Sequence, residues 1–113
     1  MLSIQTLTEY GADVEEGLRR CMNNEDFYLR LVGMAAADDG FDRLAKQIEE
    51  GSLAGAFETA HALKGVLGNL FLTPLYEPVS EVTELLRARQ QADYAPMIAQ
   101  ILERRDQLKA LTD

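Results

Sequence analysis

Between Ala56 and Leu70 the residues Ala56, Thr59, Ala60, Leu63, Val66, Leu67 and Leu70 recur at α-helical spacing and gather on one face. A strand cannot carry that pattern, because its side chains alternate with period two and would scatter this set over both faces. A helix with one long apolar face must be covered by other elements, so this stretch commits the rest of the chain to covering it. The opposite face is unusual. It holds His61, the single histidine of the protein, and on a wheel of about 100° per residue Phe57, Lys64, Gly65 and Gly68 fall within about 60° of it. Glycine inside a helix costs roughly 0.5–1 kcal/mol relative to alanine. On a solvent-facing surface alanine would fit without steric cost. Gly65 and Gly68 beside an exposed imidazole therefore suggest that something approaches it closely.

The remaining chain supplies the covering helices. It shows no alternating strand pattern, internal repeat or low-complexity tract. Residues 2–9 form a short helix with Leu2, Ile4 and Leu7 as apolar contacts, ending near Gly11. Residues 13–22 form a second, with Val14, Leu18, Cys21 and Met22 at helical spacing and Gly17 weakening it. Cys21 reads as a small buried apolar residue. Asn23 or Asn24 caps the next arm, with Glu25 and Asp26 in the first turn, where acidic side chains suit the helix dipole. Phe27, Leu31, Met34 and Ala35 share one face; Asp38-Asp39-Gly40 interrupts, and Phe41, Leu44, Ala45 and Ile48 resume the period. Residues 24–50 are thus one bundle arm, either a kinked helix or two helices end to end, closed by Gly51.

Ser52 caps the central helix, which runs to about Leu70 or Phe71. Thr73-Pro74 marks the next start, a cap followed by proline at the first helical position. Pro78 follows so closely that this helix either begins there or carries a kink, with Val79, Val82, Leu85 and Leu86 as its core face. Asp93 caps the last helix, whose apolar stripe is Tyr94, Met97, Ile98, Ile101, Leu108 and Leu111. Short connections force antiparallel neighbours. The expected fold is all-α: an up-down antiparallel four-helix bundle over residues 23–113, with one or two short N-terminal helices in residues 1–22 covering one end. The whole of residues 1–113 is read as one domain.

Charge and composition narrow the function. A chain of 113 residues can bury a modest core without disulfides. A net charge of −8 argues against nucleic acid, which needs cations to neutralise runs of phosphate, and against an anionic membrane surface. No apolar run reaches the length of a membrane span, and the N-terminus lacks a signal-peptide pattern. The lone Cys21 cannot form an internal disulfide, so a cytoplasmic location is expected. There is no phosphate-cradling glycine loop for a nucleotide. One histidine, one cysteine and no acidic pair at convincing spacing argue against a dedicated metal site.

The run His61-Ala62-Leu63-Lys64-Gly65, followed by Gly68-Asn69-Leu70, resembles the signature of histidine-containing phosphotransfer (HPt) domains of two-component phosphorelays. Length and helical layout agree with that resemblance over the whole chain. It implies that His61 is phosphorylated, conventionally on Nε2, with Lys64 and the small residues supporting approach of the partner. The residue chemistry is compatible. An imidazole with one unprotonated nitrogen is a nucleophile, and the unperturbed group titrates near pH 6.5. Lys64, one turn on, favours the neutral ring and can pair with phosphate oxygens as a point charge. One departure is visible: many such domains carry a further glycine where this chain has Phe71, about 80° round the wheel from His61. That places the departure in a packing detail rather than at the phosphoryl site.

Phe57, Ala54 one turn earlier, Gly65, Gly68 and Asn69 are the expected partner contacts, although Phe57 could equally tuck against a neighbouring helix. Leu72 is expected to turn inward at the helix end. The resemblance implies no cofactor on this chain, the Mg²⁺ and the acidic pocket belonging to a partner receiver domain. The chain is thus expected to be a phosphoryl carrier and not an enzyme. It would accept a phosphoryl group on His61 from a receiver aspartate, or from a hybrid histidine kinase, and pass it to another receiver. The alternatives are the phosphorylated module of a chemotaxis-type kinase and a helical adaptor that binds a receiver without carrying phosphate. No kinase domain accompanies the sequence and it begins with Met1, which favours the stand-alone reading. A monomer is expected, because all four apolar stripes can be satisfied within one bundle.

Overall fold

The computed structural model describes residues 1–113, which form seven helices: α1 (Ile4–Tyr10), α2 (Val14–Arg20), α3 (Glu25–Ala36), α4 (Gly40–Glu49), α5 (Leu53–Asn69), α6 (Thr73–Arg87) and α7 (Ala95–Leu111). The last four close a ring. α5 lies between α4 and α6, and α7 completes the bundle by packing on both α6 and α4. α3 packs on α7 and α2, and α1 on α2 and α7. The arm over residues 24–50 is therefore two helices, α3 and α4. The break falls where the Asp38 carboxylate accepts the Gly40 N–H at 2.7 Å, a local bond that competes with continuing the helix.

α1 and α2 cover one end of the bundle, as expected. Ser3 and Thr6 form a reciprocal capping box at the start of α1, and Gly11, in the left-handed region at φ 110°, ends it. A Cβ on Gly11 would sit 3.0 Å from the Pro74 ring, so the α1–α2 turn lies directly on the start of α6. The Asp13 N–H donates to the Phe71 carbonyl at 3.0 Å, and the Tyr10 hydroxyl donates to the Arg104 carbonyl at 2.8 Å. Phe71 itself is left-handed, at φ 56°, immediately after the C-cap of α5. That conformation is the physical reason a glycine suits this position. Its ring lies 5.4 Å from the Arg20 guanidinium, which further ties α2 to the end of α5.

Three packing expectations need correction. On α3 the buried residues are Tyr28, Val32, Ala35 and Ala36, whereas Phe27 and Met34 are 43% and 63% exposed. The sequence offers two overlapping stripes one residue apart, and Gly17 decides between them. A Cβ there would lie only 2.5 Å from the Tyr28 ring, so the glycine leaves a slot that Tyr28 fills while its hydroxyl donates to the Leu70 carbonyl at 2.9 Å. Burial pushes the Tyr28 phenol up to about 12. On α5, Val66 is 40% exposed, while the other residues of its predicted apolar face are buried. At the start of α6 the cap is Leu72 rather than Thr73, which moves Pro74 one position into the first turn.

α6 runs unbroken through Pro78. Proline has no N–H to offer the carbonyl four residues back, which is that of Pro74. The Arg104 guanidinium from α7 fills the vacancy, donating to the Pro74 oxygen at 2.7 Å. Leu75, Val79, Val82 and Leu86 of this one continuous helix are all buried in the core. Leu72 is fully buried, and Cys21 is buried too, both as expected.

Candidate functional site

The back of α5 sets the rotation of its front. Ala56, Ala60, Leu63 and Leu67 are nearly or fully buried, which turns His61 and Gly65 to solvent and leaves Lys64 partly covered. α6 packs along the same helix and contributes three side chains that the sequence reading did not single out, Tyr76, Glu84 and Arg87. His61, Lys64, Gly65, Gly68, Asn69 and Tyr76 line an open depression of about 260 Å³.

Four contacts join the imidazole to Lys64 as a circuit through Phe57, Arg87 and Glu84. The Phe57 ring is stacked on His61, with centroids 5.7 Å apart and planes inclined by 26°. The Arg87 guanidinium carbon lies 5.0 Å from the Phe57 centroid, a cation–π arrangement. Arg87 Nε donates to Glu84 Oε1 at 3.1 Å, and Lys64 Nζ donates to Glu84 Oε2 at 3.2 Å. Lys64 follows His61 by one turn, which closes the circuit. The hydrogen bonds from Lys64 and then Arg87 hold the Glu84 carboxyl below the usual carboxylate range.

The two glycines have separate reasons. A Cβ on Gly65 would meet nothing within 4 Å, so the space beside the imidazole is open. A Cβ on Gly68 would come 3.0 Å from the Tyr76 ring, so this glycine lets α6 approach α5. Phe57 is half-buried and shared between His61 and Arg87. With Ala54 it also lines a larger groove of about 590 Å³, whose walls include Leu53, Arg87 and Arg89. Asn69 is exposed at the other edge of the depression. There it adjoins a shallow apolar surface made by Leu31, Met34 and Val66. The structure thus gathers His61, Lys64, Gly65, Gly68 and Asn69 around one depression, with Phe57 and Ala54 on the adjoining groove.

The signal for the α6 contribution was present only in part. Glu84 and Arg87 are spaced i, i+3 off the apolar stripe of α6, and such a pair reads as a solvated face. Nothing along one chain tells which residues of a neighbouring helix it will meet. No three His, Cys, Asp or Glu side chains converge as a metal site, and no helix is long and apolar enough to cross a membrane.

Chemically, the site offers an accessible nucleophilic ring, a cation one turn away, a carboxylate that holds this cation, and room for a second molecule. Residues 30–111 match the family model of the Hpt domain, a span from within α3 to the end of α7 that includes every member of the circuit. No curated protein and no solved structure matches the chain.

Proposed function

Since the chain belongs to the Hpt domain family, whose members are phosphocarrier modules of two-component signalling, we propose that His61 is the residue that carries the phosphoryl group. Its partners on this reading are receiver domains, or a hybrid histidine kinase containing one. The neutral imidazole attacks the phosphorus of an aspartyl phosphate through the Nε2 lone pair. The N–P bond forms as the bond from phosphorus to the carboxylate oxygen breaks, and the electron pair leaves with the carboxylate. The Nδ1 proton passes to solvent. Transfer to a second receiver is the reverse of these steps. Mg²⁺ and the acidic residues that hold it belong to the receiver, so no cofactor is assigned to this chain.

The observation that carries the proposal is the open space over Gly65 beside an exposed imidazole. A receiver must bring the phosphorus of its aspartyl phosphate to within bonding distance of Nε2, and a side chain at position 65 would stand in that path. Lys64 pairs with the phosphoryl oxygens during transfer. Phe57, Ala54, Gly68 and Asn69 form the rim on which the receiver rests, continued beyond Asn69 by the exposed Met34 and Val66. The assignment is that of a monomeric, cytoplasmic carrier, with residues 1–113 acting as one unit. Incubation with a phosphorylated receiver tests it. The expected product is an acid-labile, base-stable adduct that is absent from His61→Gln, and normal transfer to that variant would exclude His61.

A further inference from the structure

Glu84 has no part in the bond-making steps, yet it holds the one lysine that lines the depression with His61. We propose that Glu84 is a positioning residue that competes with the phosphoryl group for Lys64. Lys64 is paired with Glu84 while His61 is bare, and exchanges that carboxylate for phosphoryl oxygens once His61 is phosphorylated. The inference rests on His61 being the phosphorylated residue.

Three features of the circuit carry it. The pair is open to water, with Lys64 partly covered and Glu84 half exposed, so exchange requires no unpacking of the core. Exposed ion pairs of this kind are weakly held. A lysine ammonium is a point charge on a flexible stem, free to follow the stronger anion, and a phosphoryl group carries more negative charge than a carboxylate. Finally, Arg87 occupies the other carboxylate oxygen, so Glu84 keeps a cationic partner when Lys64 leaves. Arg87 is in turn fixed against Phe57. The consequence is a carrier whose cation stabilises the phosphohistidine only after giving up a competing partner. That competition limits the stability of the adduct and keeps the group available for onward transfer.

The test uses phosphoramidate, a small donor that forms the N–P bond to imidazole with release of ammonia and needs no receiver. The half-life of the adduct is then followed by ³¹P NMR as water displaces the imidazole. Glu84→Gln frees Lys64 and is expected to lengthen the half-life about threefold or more, while in a Lys64→Met background the same change should alter it by less than about 1.5-fold. Thermal unfolding of each variant verifies that the bundle is intact. An unchanged half-life in Glu84→Gln overturns the proposal. So does an equal change in both backgrounds, which would assign the effect to the charge of Glu84 itself. Failure of phosphoramidate to label His61 at all overturns both this proposal and the assignment of His61 as carrier.

Discussion

The Phe57 ring lies over the His61 imidazole at a centroid distance of 5.7 Å, one helical turn before it on α5. The same ring is 5.0 Å from the Arg87 guanidinium, so the imidazole is linked through an aromatic surface to a cation on the next helix. Phe57 is thus half-buried between His61 and Arg87 and lines the groove that adjoins the depression.

Phe57→Ala removes the stacked contact and part of a half-buried ring. It is expected to cost about 1–2 kcal/mol of stability in urea unfolding and to slow phosphoryl transfer to His61 about 3- to 10-fold in rapid-quench assays, through looser ring placement. Phe57→Leu should recover most of the stability and little of the rate.

Gly65 and Gly68 separate access from packing. Alanine at position 65 has free space and gains helix propensity, so Gly65→Ala is expected to raise stability by about 0.5–1 kcal/mol. On the proposed function its methyl group would stand in the approach path of a receiver, and transfer should fall about tenfold or more. Alanine at position 68 meets Tyr76, so Gly68→Ala should gain less or lose stability. Chemical denaturation alongside receiver transfer assays resolves the two.

A similar contrast tests the packing of α2 on α3. Gly17→Ala drives a methyl group into the Tyr28 ring and is expected to cost about 1–3 kcal/mol. Gly33→Ala, with nothing within 4 Å, should instead stabilise α3 by about 0.5–1 kcal/mol. Urea midpoints of the two variants should move in opposite directions.

Those glycines also show where sequence reasoning ended. Some helix boundaries were legible because capping chemistry is local: Asn24 accepts the Phe27 N–H, and Gly51 takes the left-handed turn after α4; the starts of α6 and α7 were not, their caps being Leu72 and Tyr94 instead of Thr73 and Asp93. The grouping of His61, Lys64, Gly65 and Gly68 was legible because one helical period places them. The choice of Tyr28 and Val32 over Phe27 and Leu31 was not. The two stripes differ by one residue, and the slot that selects Tyr28 belongs to another helix. Glu84, Arg87 and Tyr76 were out of reach for the same reason, since the register of α6 against α5 is set by packing. Gly17 weakens α2 in isolation, and in the bundle it is the fit of α2 to α3.

Pro78 gives a test of how the chain repairs a local defect. Arg104→Met leaves the Pro74 carbonyl without its donor and is expected to cost about 1–3 kcal/mol. Pro78→Ala restores an N–H four residues after Pro74, so the double variant should recover part of that loss. A double-mutant cycle from urea unfolding measures the coupling, with a positive interaction expected.

Transfer from a phosphorylated receiver to the wild-type chain and to His61→Gln tests whether His61 carries the phosphoryl group. An acid-labile, base-stable phosphoryl group is expected on His61 of the wild type and none on the variant. Equal labelling of the two chains, or a label mapped to any other residue, would contradict that expectation.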